Sequence, residues 1–241
     1  SRERAALLLG CEPSELAKHV GQAVKKPVAP VVVPASQAPC QEQVFYADDP
    51  DFDLRKLLPA PTNTPIDAGP FFCLGLVLAS DPEDSSLTDV TIHRLCVQER
   101  DELSMFLAAG RHIEVFRKKA EDAGKPLPVT INMGLDPAIY IGACFEAPTT
   151  PFGYNELGVA GALRQQPVEL VQGVAVKEKA IARAEIIIEG ELLPGVRVRE
   201  DQHTNTGHAM PEFPGYCGEA NPSLPVIKVK AVTMRNHAIL Q

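Results

Sequence analysis

The stretch DVTIHRLCV, residues 89–97, decides the fold that the sequence predicts. Its alternation of period two is typical of a β-strand and puts Val90, Ile92, Arg94 and Cys96 on one face. Arg94 is then a cation on an otherwise apolar face, where a buried unpaired charge is strongly destabilising. We therefore expect an anion beside Arg94, either a carboxylate or a bound phosphate or carboxylate ligand. The structural alternatives are an internal ion pair and an edge strand whose face is wet.

The segments around this strand predict a sheet of many strands with a few inserted helices. FFCLGLVLAS, residues 71–80, leads into it through the polar turn at 81–88. Further strands are predicted at 102–108, 127–134, 167–176, 184–194 and 224–234, and helices at 1–25, 111–123, 136–145 and 155–164. Because strands and helices do not alternate strictly, an α+β fold with a barrel-like antiparallel sheet is favoured over a doubly wound parallel sheet.

The chain divides by composition into two parts. Residues 27–70 are rich in proline, which excludes long helices and indicates a wrapping connection. We predict that residues 1–70 form an N-terminal segment with this connection, and that residues 71–241 form the barrel domain. The chain starts at Ser1 in a helical pattern and stops just after a strand-like run, so a piece of a longer protein is expected.

Charge and composition argue against several classes of partner and site. The net charge of −8 and the absence of Trp disfavour nucleic-acid binding and membrane-surface binding. The six cysteines form no CxxC pair and fit no zinc spacing, so buried free thiols are expected. The sequence has no signal peptide and no apolar run of membrane length, which predicts a cytoplasmic protein.

Two helix starts carry polar residues that could act in a site. His112 follows Arg111 in the first turn of its helix, where backbone N–H groups attract anions. Glu156 follows Asn155, the predicted cap of the next helix but one, where the helix dipole favours a carboxylate. A solvated or capping His112 and a Glu156 that only stabilises its helix are the alternatives.

The loop GHAMPEFPGY, residues 207–216, presents a single carboxylate in a stiffened backbone. Pro211 and Pro214 fix φ on both sides of Glu212, while Gly207 and Gly215 permit sharp turns. A rigid loop that presents one carboxylate is typical of an acid/base site. The alternative is a structural loop whose glutamate faces water.

Several motifs in the same order resemble the UbiD-type decarboxylases. These motifs are DVTIHRLCV, GRHIEVFRKKAEDAGKPLPVTINMGLDPA, NELGVAGALRQQPVELV, AEIIIEGELLPG and HTNTGHAMPEFPGYCG, within residues 45–240. The form TNTGHAMPEFPGY resembles the subgroup that acts on furandicarboxylate or pyrrole-2-carboxylate. The resemblance implies a split β-barrel domain at 71–241 that binds prenylated FMN. It also implies a partial N-terminal α/β segment and a C-terminal α/β domain that is missing here.

The resemblance also implies a metal and cofactor site. Asp89, His112 and Glu156 match the family's metal ligands, with Asp89 in place of the usual Asn. Asp still offers a hard oxygen, so Mn²⁺ or Mg²⁺ bridging to the flavin phosphate is expected, with K⁺ as a further cation. The implied cofactor-binding residues are Thr91, Ile92, His93, Arg94, Arg111, Pro148 and Thr149.

The catalytic residues that the resemblance implies are Arg94, Glu212 and His208. Arg94 would bind the substrate carboxylate, and Glu212 would protonate the substrate carbon. The apolar neighbours of Glu212, Phe213 among them, are expected to favour its protonated form. The family often carries a second glutamate five residues earlier, but Gly207 stands there, so His208 is the candidate for proton relay or for recognising a second carboxylate.

The implied activity is reversible non-oxidative decarboxylation of an aromatic or heteroaromatic acid with release of CO₂. The implied partners are a flavin prenyltransferase that supplies the cofactor and further copies of the protein, joined through the C-terminal domain. Two alternatives stay open: a cofactor-binding module without activity of its own, and an FMN-dependent oxidoreductase built on a split barrel. The chain contains no GxGxxG dinucleotide fingerprint.

Overall fold

The long apolar strands of the chain close into a barrel. A computed structural model describes residues 1–107, 110–145 and 149–240. Its helices are α1 (Arg2–Leu9), α2 (Leu16–Lys25), α3 (Leu54–Leu57), α4 (His112–Asp122), α5 (Pro137–Gly142) and α6 (Leu157–Arg164). Its strands are β1 (Val31–Val32), β2 (Gln43–Tyr46), β3 (Phe71–Ser80), β4 (Thr88–Glu99), β5 (Glu102–Met105), β6 (Leu127–Met133), β7 (Glu169–Gln172), β8 (Lys179–Ile181), β9 (Ile186–Val198), β10 (His208–Pro211), β11 (Cys217–Glu219) and β12 (Leu224–Met234).

The barrel has six antiparallel strands in the order β12-β5-β4-β3-β6-β9, and β9 pairs again with β12 to close it. Strand β2 continues the sheet along the edge of β12 that β5 also uses. β4, the strand of DVTIHRLCV, lies in the middle, with Leu76 of β3 opposite Ile92. The predicted α+β fold with an antiparallel barrel is therefore confirmed.

The two larger of three apolar clusters in the described residues lie on the two faces of this sheet. The first fills the barrel and is closed by Ile113 and Phe116 of α4. The second packs α5, α6 and the small sheet β1-β7-β8 against the outside. Gly75 of β3 is required by the tight interior, because a Cβ there would lie 2.4 Å from Cδ1 of Leu95 and 2.9 Å from Cγ2 of Ile131. The barrel consequently gives β4 a fixed position relative to α4.

The N-terminal part differs from the simple helix that was predicted. Residues 1–25 form two helices, because Gly10 adopts a left-handed conformation at φ 69° and ends α1. The Pro-rich connection then adds β2 to the main sheet and places Phe52, Leu54 and Leu58 in the barrel core. A boundary at residue 70 stays a prediction, although these contacts tie residues before it to the barrel.

Two other expectations need correction. The segment predicted as one strand at 167–176 ends as β7 at Gln172, because Glu189 accepts backbone N–H bonds from residues 174–176 and holds them in a turn. All six cysteines are free, but only Cys40 and Cys96 are buried; burial raises the pKa of each thiol to about 12.

None of the helices in the described ranges has the length and apolar composition needed to cross a bilayer.

Candidate metal and acid-base sites

Arg94 lies between two carboxylates on the outer face of β4. Its Nε and Nη2 each donate to Glu200 at 2.9 Å, and its Nη1 lies 3.6 Å from Oε1 of Glu212. The Arg94 side chain is 16 % exposed, that of Glu200 1 % and that of Glu212 37 %. The ring of Phe106 lies 4.2 Å from the guanidinium carbon. The anion expected beside Arg94 is therefore a carboxylate of the chain, held in the bidentate geometry that gives strong pairs.

Glu200 is a site residue that the sequence reasoning missed. It lies two residues after the end of β9 and 106 positions from Arg94, and it also accepts the N–H of Asn221 at 3.0 Å. The signal available in the sequence was Arg94, because a cation on an apolar face requires an acidic partner. With 31 acidic residues in the chain, no spacing rule could select this one.

Glu212 follows β10 in a hairpin that the sequence presented as a loop. Its N–H donates to the carbonyl of Tyr216 at 2.7 Å, and the N–H of Gly215 donates back to Glu212 at 2.9 Å. β10 and β11 form a separate two-stranded ribbon, so Pro211 disrupts no central strand. The expected shielding by Phe213 is wrong, because this turn directs the ring into solvent and leaves it fully exposed.

His208 begins the same hairpin, and in the described residues it is not hydrogen bonded to the Arg94 pair. Its backbone N–H donates to Oγ1 of Thr206 at 3.3 Å, and its ring Nδ1 is buried with no partner among the described residues. Within that part of the chain, His208 makes no hydrogen bond to Arg94 or Glu212. A relay through His208 stays a prediction.

A second cluster brings together Asp89, His112 and Glu156. Each offers a ligand atom, these atoms lie within 4.8 Å of one another, and all three residues are buried. Asp89 belongs to β4, His112 is the first residue of α4, and Glu156 directly precedes α6. Two carboxylates and one imidazole in a buried position fit a divalent cation such as Mn²⁺ or Mg²⁺. The three sequence candidates thus share one place in the fold.

Hydrogen bonds between elements hold this cluster together. Oδ2 of Asp89 accepts the N–H of Ile113 at 2.8 Å and the hydroxyl of Thr91 at 3.1 Å, which ties β4 to the first turn of α4. Nδ2 of Asn155 donates to Oγ1 of Thr88 at 3.0 Å, which ties the residue before Glu156 to the residue before Asp89. The ligand side chains are therefore positioned by neighbouring contacts in the same elements.

The helices behind Glu156 approach each other closely. A Cβ on Gly142 of α5 would lie 2.7 Å from the carbonyl oxygen of Glu156. The ring of His112 meets the ring of Phe152 edge to face, with centroids 5.3 Å apart. Gly142 and Phe152 thus pack closely against two of the three ligand residues.

Residues 31–241 match the family described as UbiD, the 3-octaprenyl-4-hydroxybenzoate carboxy-lyase Rift-related domain. The chain belongs to the UbiD family. This confirms the resemblance that the motifs carried, and the barrel is the fold that the resemblance implied.

Curated and solved UbiD relatives resemble the whole chain. Gallate decarboxylase of Lactiplantibacillus plantarum is 54 % identical over 242 residues, covering 100 % of this chain and 49 % of the relative. The apo structure of a 3,4-dihydroxybenzoic acid decarboxylase from Enterobacter cloacae is 98 % identical, with a TM-score of 0.95 and coverage of 100 % and 49 %. HmfF from Pelotomaculum thermopropionicum, solved with prFMN, is 35 % identical, with a TM-score of 0.89 and coverage of 100 % and 52 %. The chain spans about half the length of the curated relatives it matches.

The other UbiD cofactor-binding candidates lie near the metal cluster to different degrees. Thr91 is bonded to Asp89, and Arg111 directly precedes α4. Ile92, on the opposite face of β4, packs with the second core, whereas Thr149 is exposed and Pro148 lies outside the described residues.

His93 is a buried candidate, as Thr91 is. Its Nδ1 lies 3.0 Å from the carbonyl of Phe106, and its Nε2 is buried without a partner in the described part of the chain. Burial, together with a smaller contribution from the Arg111 charge, lowers the pKa of His93 to about 4, so the ring is neutral near pH 7. A neutral ring with Nδ1–H bound to the carbonyl leaves Nε2 as an acceptor.

Proposed function

We propose that the protein containing this chain catalyses the reversible non-oxidative decarboxylation of an aromatic acid with prenylated FMN. The observation that carries the proposal is Arg94, which faces one fixed carboxylate, Glu200, and one partly exposed carboxylate, Glu212. A cation beside a solvent-accessible acid can hold a substrate carboxylate and supply a proton at the same place. The decarboxylases among the relatives support this assignment.

The proposed substrate is a dihydroxybenzoic acid. The relatives of 98 % and 90 % identity are named 3,4-dihydroxybenzoic acid decarboxylases, and gallate decarboxylase is 54 % identical. These names support a phenolic acid over the heteroaromatic acid that the TNTGHAMPEFPGY motif predicted.

The metal cluster and its neighbours fit the cofactor that the family implies. Asp89, His112 and Glu156 would hold Mn²⁺ or Mg²⁺, and Arg111 together with the start of α4 would meet the flavin phosphate. Prenylated FMN, when bound, would supply the electron sink for the electron pair that remains when CO₂ leaves. No side chain of the chain can take up that pair from an aromatic ring.

The residues of the Arg94 site have different tasks in this proposal. Glu200 occupies Nε and Nη2 of Arg94 and fixes the plane of the guanidinium. The substrate carboxylate would then meet Arg94 on the Nη1 side, where Glu212 also lies. Glu212 is the proposed acid that delivers a proton to the carbon that has lost CO₂, because it is the carboxylate of the pair that solvent can reach.

Replacing Glu212 by Gln tests the assignment. The E212Q protein should bind prenylated FMN as the wild type does, by absorbance, while CO₂ release from 3,4-dihydroxybenzoate falls by about 10²-fold or more. The matched control is E219Q, an exposed glutamate on the other strand of the same hairpin, which should retain turnover. Turnover by E212Q at the wild-type rate would overturn the role of Glu212.

The same experiment separates the alternatives. Cofactor binding without CO₂ release by the wild type would support a cofactor-binding module, which the coverage of half the relatives' length makes worth testing. Oxidation of NAD(P)H would instead support the FMN-dependent oxidoreductase.

The proposed decarboxylase has several further expected features. They are manganese as the metal, K⁺ as a further cation, a flavin prenyltransferase as the source of cofactor, a homo-oligomer and a cytoplasmic location. Each rests on the family resemblance and on the composition of the chain.

A further inference from the structure

Gln98 connects the turn that carries Glu200 to the strand that carries Arg94. Its Nε2 donates to the main-chain carbonyl of Glu200 at 3.0 Å and to Oγ of Ser104 at 2.8 Å. Its Oε1 accepts from Nε2 of Gln202 at 2.9 Å. The side chain is buried, and these three bonds use both ends of its amide. A buried amide satisfied in this way has one preferred orientation.

A β-bulge accounts for the direction of this side chain. The pairing of β4 with β5 advances from Val97–Leu103 to Glu99–Glu102, so Gln98 is the extra residue between the two pairs. Bulges of this kind redirect a side chain, and they are frequent next to active sites. Gln98 is thereby turned toward the 199–202 turn instead of pairing with β5.

Glu200 is attached to β4 at two points. Its carboxylate binds Arg94 and its carbonyl binds Gln98, four residues further along the same strand. In the described residues, Gln98 is the only side chain besides Arg94 that hydrogen bonds Glu200; the remaining hydrogen bonds are to the backbone of Asn221. We propose that Gln98 is a positioning residue that fixes Glu200, and through it the guanidinium of Arg94, for the decarboxylation step.

The consequence for turnover follows from the geometry. Without the Gln98 donor, the buried carbonyl of Glu200 lacks a partner, and the turn must move to find one. Glu200 then no longer holds Nε and Nη2 of Arg94 in a bidentate pair, although Arg94 keeps its charge. Attraction of the acid substrate should persist, while misplacement of about 1 Å can reduce the rate by roughly 10²-fold. The inference rests on the proposed function for this catalytic consequence only.

Replacing Gln98 by Glu tests the inference with nearly the same shape but no N–H donor. S104A is the matched control, because it removes the bond that does not involve the 199–202 turn. In the cofactor-loaded Q98E protein, hydrogen exchange of peptides covering residues 199–207 should accelerate by about tenfold or more. The kcat for 3,4-dihydroxybenzoate should fall by about tenfold or more, while KM stays within about twofold of the wild-type value. S104A should change neither exchange in that segment nor the ratio of kcat to KM. Q98M, of similar length and without polar atoms, replaces Q98E if that variant does not fold.

The outcomes separate this inference from the proposed function. Unchanged exchange at residues 199–207 in the variants overturns the inference, whatever the activity. Faster exchange with wild-type kcat overturns the positioning role. A wild-type protein that releases no CO₂ contradicts the proposed function, and the exchange result still decides whether Gln98 fixes Glu200.

Discussion

Replacing Glu200 by Gln should destabilise the protein, because it breaks a buried ion pair from one side. The Glu200 side chain is 1 % exposed, and its two oxygens accept from Nε and Nη2 of Arg94 and from the N–H of Asn221. A glutamine keeps one acceptor oxygen, but its NH₂ group cannot accept the hydrogen bonds that Arg94 and Asn221 donate to the second oxygen. Removing one partner of a buried pair costs about 3–5 kcal/mol.

The expected loss lies at the lower end of that range. Arg94 is 16 % exposed and has Glu212 at 3.6 Å as a substitute partner, so we expect a loss of about 3 kcal/mol in the free energy of unfolding. For a chain of this length, that corresponds to a fall in Tm of roughly 6–12 °C.

Thermal unfolding followed by circular dichroism measures the effect. E219Q, with an exposed side chain, should stay within about 0.5 kcal/mol of the wild type. The double replacement R94M with E200M should recover much of the loss, because a well-packed apolar pair avoids the unpaired charge. A loss below about 1 kcal/mol in E200Q would refute the reasoning that Arg94 and Glu200 form a buried pair that determines stability.

Two further predictions concern the barrel interior and the metal cluster. Burial lowers the pKa of His93 to about 4, whereas in the unfolded chain it is near 6.5. The free energy of unfolding should therefore be fully retained above pH 6.5 and fall by up to about 3 kcal/mol as the pH decreases toward 4, because the unfolded chain takes up the proton first. Urea unfolding at several pH values should therefore show a shallower pH dependence between 4 and 6.5 in H93Q, and an equal slope in both proteins would contradict this. Mn²⁺ should raise the Tm of the wild type. The H112A replacement should weaken Mn²⁺ binding by about tenfold or more in calorimetry. The control D122N, at the exposed end of the same helix, should bind Mn²⁺ as the wild type does. Equal affinity in H112A and D122N would argue against the cluster as the metal site.

The strands were predictable because their apolar pattern matches the faces that the barrel buries. The predicted strand at 224–234 coincides with β12, and the alternation in DVTIHRLCV agrees with the two faces of β4. Arg94 stood out for the same reason, since its charge conflicts with the apolar face around it. Local pattern is sufficient where one strand face meets one core.

The hairpin β10–β11 was not predictable from local pattern. Its prolines and glycines indicate a loop, and only pairing across the turn makes residues 208–219 a ribbon. The full exposure of Phe213 depends on that turn as well.

Glu200 shows a second reason why the sequence does not predict the whole site. The second acid was expected at position 207, five residues before Glu212, where Gly207 stands, whereas the structure supplies an acid from the turn after β9. Asp89, His112 and Glu156 came from the family motifs, because no spacing rule links residues on a strand and at two helix starts. Contacts between elements far apart in the chain decide such sites.

The most direct test of the central claim, that Arg94, Glu200 and Glu212 form the acid-base site of a decarboxylase, is the position of a solvent proton in the product. The cofactor-loaded protein is incubated with 3,4-dihydroxybenzoate in D₂O, and the catechol is analysed by NMR. We predict one deuterium at the carbon that carried the carboxylate, formed by the wild type and almost not at all by E212Q. No catechol from the wild type, or equal amounts from both proteins, would contradict the account.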